Sequence, residues 1–362
     1  MAENIIVVGG GIVGASIAYH LASNGAKVTI LEKSIPASGA SSKSFGWINA
    51  NAAETKSYYK LRRAAIFDYL DLCERIKLET AVKWDGSLWW EDQGQDLIDQ
   101  ASVLAEYGYE AKIIDAARFT ALEPNIANPP EKCIFGQIEG SADGAEMVRL
   151  LLAEATKFDA HVVAGCHVSG FLRKGNRIEG VETYFGNMRA DKVVVATGAW
   201  SQKLLECAGI NLPMDNKTGV IVHTLPVDPV VNHLILSPDI HFRQDNSGRI
   251  ILGEIFSGGG LNEAKAESPI DFSQKMLVRL KERLPDVADL TVDRINVGMR
   301  PVPLDGLPAV GVPNGLSGIY VAVMHSGITL APLIGRLVAQ EMLEGQDADA
   351  LSDFRPDRLV NS

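Results

Sequence analysis

One short unit near the amino end constrains this chain more than any other feature. The stretch Asn4–Val8 carries the apolar run Ile5-Ile6-Val7-Val8, the pattern of a strand buried on both faces. Gly9-Gly10-Gly11-Ile12-Val13-Gly14 follows at once. Helical periodicity then runs through Ile17 and Leu21 to Asn24-Gly25, a natural left-handed stop. A second strand, Lys27–Leu31, ends in Glu32. This is a complete β-α-β unit. Within it Gly9, Gly11 and Gly14 spell GxGxxG, a weak signal by itself in a chain with 34 glycines. Here it leaves a strand, opens a helix and is answered by an acid 21 positions after Gly11, which makes it a dinucleotide fingerprint. Gly9 permits the tight turn, Gly11 lets backbone approach a diphosphate, and Gly14 lets helix pack on strand. The helix N-terminus stabilises the diphosphate charge. Glu32 is expected to accept hydrogen bonds from the adenosine ribose, and its charge disfavours a 2′-phosphate, which argues against NADP. The alternative, glycines used only for packing, fits that context poorly.

Helices are expected over residues 58–76, 95–107, 144–158 (capped by Asp143), 271–284 and 330–343, the last with Pro332 in its first turn. Strands are expected over 87–90, 178–184, 193–196, 241–244, 250–253 and 318–323. The α/β segments lie at the start, middle and end, with strand-rich segments between them. The expected fold is therefore α/β: a Rossmann-like nucleotide domain (1–80, 140–213 and 297–362) interleaved with a substrate domain built on a mainly antiparallel sheet (81–139 and 214–296).

Composition removes several classes of function. With 45 acidic and 34 basic residues the net charge is −11, which repels phosphate and speaks against a nucleic-acid partner. The four cysteines (Cys73, Cys133, Cys166, Cys207) form no CxxC pair, so neither a zinc site nor a disulfide framework is expected, and a reducing cytoplasm fits best. The early apolar stretch lacks a basic start and is broken by glycines, unlike a signal peptide. The apolar run near the carboxyl end is interrupted by His325, Gly327, Pro332 and Arg336, so no membrane span is expected.

The fingerprint does not separate FAD from NAD, and an NAD-dependent dehydrogenase stays open on it. Four stretches resemble the FAD-dependent amino-acid and amine oxidases of the D-amino-acid oxidase type, which include glycine oxidase and sarcosine oxidase. They are the fingerprint with Glu32-Lys33; Ala40-Ser41-Ser42-Lys43-Ser44-Phe45-Gly46-Trp47; Ala196-Thr197-Gly198-Ala199-Trp200-Ser201; and a carboxyl-terminal set. That set runs from Gly298-Met299-Arg300-Pro301 through Asp305-Gly306-Leu307-Pro308 to His325-Ser326-Gly327-Ile328-Thr329-Leu330-Ala331-Pro332. They span nearly the whole chain in the family's order.

The resemblance implies FAD as cofactor and the oxidation of a C–N bond in an amino acid or N-substituted glycine. A hydride passes from the α-carbon to flavin N5, and the imine product hydrolyses. Positioning matters more here than a protein base, and no catalytic side chain is assigned. The residues implied at the cofactor are Gly9, Gly11, Ile12, Val13, Gly14, Glu32, Lys33, Ala40, Ser41, Ser42, Gly46, Trp47, Val168, Thr197, Gly198, Trp200, Arg300, His325, Ser326, Gly327, Ile328 and Thr329. Backbone N–H groups of Ser326, Gly327 and Ile328 would face the flavin where negative charge develops on reduction. His325 either edges that ring or is a strand-end histidine bonded to backbone.

Arg300 interrupts an apolar context and needs an anion. It is either the family's substrate-carboxylate arginine, whose planar fork suits that partner, or a member of a structural ion pair. His241 stands where glycine oxidase has a tyrosine pointing into the pocket, and is either a pocket residue or an ordinary buried or surface histidine. Trp47, Asn49 and Asn51 either line the substrate pocket or simply pack. The family's covalent attachment residues are missing: Met299 and Pro301 flank Arg300, the nearest cysteine is the distant Cys207, and Phe45-Gly46-Trp47 replaces the dimethylglycine-type histidine. Non-covalent FAD is therefore expected. The electron acceptor is O2 or a carrier, and either a homo-oligomer or a hetero-oligomeric dehydrogenase subunit is compatible. A flavoprotein that modifies tRNA is disfavoured by the charge.

Overall fold

The computed structural model describes residues 2–51, 55–253 and 268–360. Its first sheet has six strands in the order Ala309–Gly311, Ile319–Val323, Lys192–Val195, Asn4–Val8, Lys27–Leu31, His161–Val163. Neighbours run parallel except Ala309–Gly311, which is antiparallel at the edge. Strand side chains alternate between faces. Ile5 and Val7 enter a core shared with the helices Ile12–Ser23, Gly144–Thr156 and Gly327–Glu344. Ile6 and Val8 enter a second core, closed by the three-stranded meander Val168–Lys174, Arg177–Thr183, Gly186–Arg189. Both faces of Asn4–Val8 are thus covered, which explains its unbroken apolar run.

The second sheet has eight strands in the order Val292–Arg300, Lys217–Thr224, Ile250–Gly253, His241–Gln244, Leu234–Leu236, Ser87–Trp89, Lys132–Gly136, Ala111–Asp115. Seven pairings would be needed to join eight strands, and only Leu234–Leu236 with Ser87–Trp89 is parallel. That pair welds the two strand-rich segments of the chain into one sheet. The strand Val292–Arg300 carries this sheet through residue 300, past the boundary expected at 296/297. A small sheet of Trp47–Ile48, Gly140–Ala142 and Val82–Lys83 lies at the crossings between the segments.

The last long helix begins at Gly327, three residues before the expected start, so Pro332 falls inside it. A proline cannot donate to the carbonyl four residues back. The Ile328 carbonyl, released in this way, accepts from Tyr69 Oη at 2.5 Å. Tyr69 belongs to the helix Lys56–Arg75, which packs on this one and also pairs Asp68 with Arg336 through two bonds of 2.9 and 3.0 Å.

Candidate active site

The three fingerprint glycines do different jobs. Gly9 has φ +110, and a Cβ there would meet the Ala196 carbonyl oxygen at 2.4 Å. A Cβ on Gly14 would lie 2.0 Å from the Gly9 carbonyl oxygen, so this glycine lets helix touch strand. A Cβ on Gly11 would meet only Ser41 Oγ, at 3.4 Å. The protein itself does not demand glycine at position 11, and the open side of that residue is a cleft.

The cleft encloses about 1220 Å³. Pockets for single small ligands usually span roughly 300–1,000 Å³, so it has room for a large cofactor with a substrate. One end is formed by Glu32, Lys33 and Val168, together with Cys166 and His167. Glu32 accepts from Gly10 N–H (2.8 Å) and Ser34 N–H (2.9 Å), which clamps the turn after each strand. Lys33 Nζ sits 3.3 Å from the centroid of the Trp200 ring. Gly9, Gly11, Ile12, Val13, Ala40 and Ser41 line the middle, with Thr197, Gly198 and Trp200. The helix Ile12–Ser23 starts there with no cap from its N-cap side chain and no acid in its first turn. Ser41 Oγ accepts from Ile12 N–H at 3.0 Å.

A second helix start faces the same cleft through Ser326, Gly327, Ile328 and Thr329. Ser326 holds φ 56, a left-handed conformation that costs a non-glycine residue roughly 1 kcal/mol or more, and its side chain makes no cap bond. Two helix N-termini opening on one cavity, neither capped by its own N-cap side chain, suit a group with two electron-rich loci, a diphosphate and the carbonyl edge of a flavin. The donor set and the space opposite Gly11 therefore fit FAD.

At this second end stand Arg300, His325, Gly46, Trp47, Asn49 and Asn51. Burial pushes the Arg300 guanidinium below its ordinary value. It lies over Gly219, where any Cβ would meet Arg300 Nε and Nη2 at 2.9 Å. His325 is pushed down to about 4 by burial and by Arg300, Arg62 and Lys217, so its ring is neutral at pH 7. The loop carrying Trp47 to Asn51 is fastened at every step. Thr329 Oγ1 bonds Trp47 O (3.2 Å) and Asn49 N–H (3.3 Å), Tyr109 Oη accepts from Ala50 N–H (3.2 Å), and Gln100 Nε2 donates to Asn51 Oδ1 (2.9 Å). The buried Arg243 holds the preceding residues, donating from Nε to Phe45 O at 2.6 Å.

Three residues expected at the site are off the cleft. Gly14 serves the helix–strand contact. Ser42 is absent from the cleft lining, and its carbonyl accepts from Asn296 Nδ2 at 3.4 Å. His241, expected as a possible pocket residue, is fully buried; its Nε2 lies 3.2 Å from Glu91 Oε2, and Glu91 is the group that lines the cleft. Sequence reading also missed Arg62, Gly219 and Glu139. Arg62 was legible, because it stands four residues after Tyr58 and four before Ile66 on a buried helical stripe. Glu139 had no such signal, being an acid in a turn between two short strands.

Residues 4–341 match the family described as FAD dependent oxidoreductase (DAO). Glycine oxidase of Pseudomonas aeruginosa is 26% identical over 366 residues, covering 96% of this chain and 96% of that protein. Among solved structures, L-proline dehydrogenase from P. horikoshii superposes with a TM-score of 0.86 at 23% identity, over 99% of this chain and 97% of that one. Glycine oxidase from Geobacillus kaustophilus gives 0.85 at 22%, over 99% of both chains. With the family match running through both sheets and both helix N-termini, the chain belongs to the DAO family of FAD-dependent oxidoreductases.

Proposed function

We propose that this protein oxidises the C–N bond of a small amino acid or N-substituted glycine, using non-covalently held FAD. The observation that carries the reading is a buried arginine, Arg300, in the same cleft as the helix start at Ser326 to Ile328. The similarity to glycine oxidase supports the amine class. Bound flavin supplies the hydride acceptor. Glu32, Lys33, Val168 and Trp200 would hold its adenosine half, Gly11 to Val13 with Ser41, Thr197 and Gly198 its diphosphate, and His325 to Thr329 its ring. Arg300 binds and orients the substrate carboxylate. Its bidentate fork fixes which C–H bond faces the ring. Trp47, Asn49 and Asn51, held by Thr329, Tyr109 and Gln100, shape the wall and exclude water. His325, being neutral, adds no positive charge against the incoming amine.

Acid precipitation should release the yellow colour into the supernatant, and an amino-acid substrate should bleach it without oxygen. Arg300→Met should lower kcat/KM for carboxylated amines by about 10²-fold or more, with flavin spectrum and thermal stability kept. Amines without a carboxylate should barely respond. Release of FAD or unfolding in that variant would make Arg300 a structural ion-pair residue and sink the reading. Peroxide yield per turnover tells O2 from a carrier as acceptor.

A further inference from the structure

The cleft holds a second arginine with no role in the reading above. Arg62 lies on the helix Lys56–Arg75, is only 7% exposed, and lines the cleft with Tyr58 and Asn49. Its Nε donates to Asn49 O at 3.1 Å and its Nη2 to Asn49 Oδ1 at 2.5 Å. The Tyr58 ring lies 5.4 Å from its guanidinium carbon. Both acceptors are neutral, and a guanidinium stays charged at any working pH. A buried cation given only neutral acceptors lacks a counter-charge.

The structure offers a poor internal one. Glu139 feels the Arg62 charge, but its carboxylate is already used by Trp47 Nε1, Ser87 Oγ and Tyr109 Oη, each at 2.6 Å. Burial raises that carboxyl to about 7, so it carries only part of a charge near neutrality. Asn49 grips one edge of the guanidinium. Nη1, on the other edge, makes no hydrogen bond among the described residues. The charges acting on His325 in this part of the cleft are Arg300, Arg62 and Lys217, all positive.

We propose that the cleft takes an amine bearing two carboxylates, one held by Arg300 and the other by Arg62. The substrate class is then an N-carboxymethyl amino acid or an α-amino acid with an acidic side chain. This rests on the amine-oxidation reading and narrows it. Asn49 acts as the second clamp's support, since it fixes the guanidinium plane before the ligand arrives.

The test uses the holoenzyme and unreactive acids, read by perturbation of the flavin absorbance. A series from malonate to adipate is titrated beside the monoacids of the same chain length. At the best length the diacid should bind about 10-fold tighter than its monoacid, the scale of one charge-assisted pair. Arg62→Gln should erase that gap and leave the monoacid Kd within about two-fold, while Arg62→Lys, which keeps the charge but loses the fork, should restore part of it. Arg300→Met should weaken both acids. Turnover of N-carboxymethyl amino acids against aspartate and glutamate then tells the two substrate forms apart.

Equal binding of diacids and monoacids overturns the proposal. So does an equal loss for both in Arg62→Gln, which would leave Arg62 as a support for the loop only. Tighter binding of 6-aminohexanoate than of any diacid would also overturn it, giving the second charge contact to Glu91 and Asp92, the acids that line the same cleft. In each of these cases an Arg300-dependent monoacid signal leaves the amine-oxidation reading standing; if no acid perturbs the flavin, both fall.

Discussion

Glu139 shows how much one side chain can decide. Burial raises its carboxyl from an ordinary 4.5 to about 7, against three donors that pull the other way. The folded protein therefore binds this proton more tightly than the unfolded chain does. The associated stability is full below about pH 4.5 and is lost as pH rises through 7, by at most about 1.4 kcal/mol per pH unit. Three histidines oppose it. His20 is lowered to about 3, and His223 and His325 to about 4, so their contribution is full above pH 6.5 and lost as pH falls. Glu139→Gln should remove the opposing slope, so that melting temperature falls more steeply between pH 7 and 5 than in the parent. Parallel curves for the two proteins would mean that Glu139 titrates normally. Glu32 argues differently, because both its oxygens accept backbone N–H groups. Glu32→Gln turns one acceptor into a donor facing Gly10 or Ser34. FAD retention should weaken by about 1–2 kcal/mol, or roughly 5- to 30-fold in Kd, measured by equilibrium dialysis. Unchanged retention would show that the adenosine half is held elsewhere.

At the scale of elements, the helix Gly327–Glu344 links fold and site. Its sixth residue is a proline, and the carbonyl this leaves unpaired belongs to Ile328, a residue of the cleft wall. Tyr69 Oη satisfies it from a buried position. Tyr69→Phe should cost about 1–3 kcal/mol by leaving a buried acceptor unpaired, read as a shift of the urea midpoint with unchanged slope. FAD affinity should fall with it, whereas stability lost without any change in FAD affinity would mean that the helix start stays in place unaided. This helix also marks where sequence reading stopped. Its apolar periodicity is plain from Leu330 onward, but Gly327, Ile328 and Thr329 carry no helical pattern, and a proline invites placement in the first turn. What extends the helix backward is a tyrosine more than 250 residues earlier in the chain. The two strands of the opening β-α-β unit, Asn4–Val8 and Lys27–Leu31, were legible to the residue. Lys217–Thr224 and Val292–Arg300 were not, because they are defined by each other across the chain and neither is buried along its whole length. Gly219 had no local signal either, since only the cross-strand guanidinium of Arg300 explains it.

Over the whole molecule, the fingerprint and the ordered motifs made the α/β class, the family and most of the cleft readable. The eight-stranded sheet was readable only as a strand-rich tendency. Its parallel weld, Leu234–Leu236 on Ser87–Trp89, joins segments that no local pattern connects. The same long-range design governs the first sheet. Its founding strand Asn4–Val8 pairs on one side with Lys27–Leu31 and on the other with Lys192–Val195, which in turn waits for Ile319–Val323. The second helix start in the cleft is later still, at Gly327. During synthesis, then, the ribosome makes the helix start at Ile12 first and the one at Gly327 more than 300 residues afterwards. Until Gly327 has been made a nascent chain has half a cradle, and contacts of such separation close slowly. Yellow colour should therefore appear only once residues near 344 have emerged, and ribosome-stalled chains ending at about 315 should stay colourless. Loading with cofactor becomes a proofreading step for this molecule: it certifies that two parts of the polypeptide more than 300 residues apart have met.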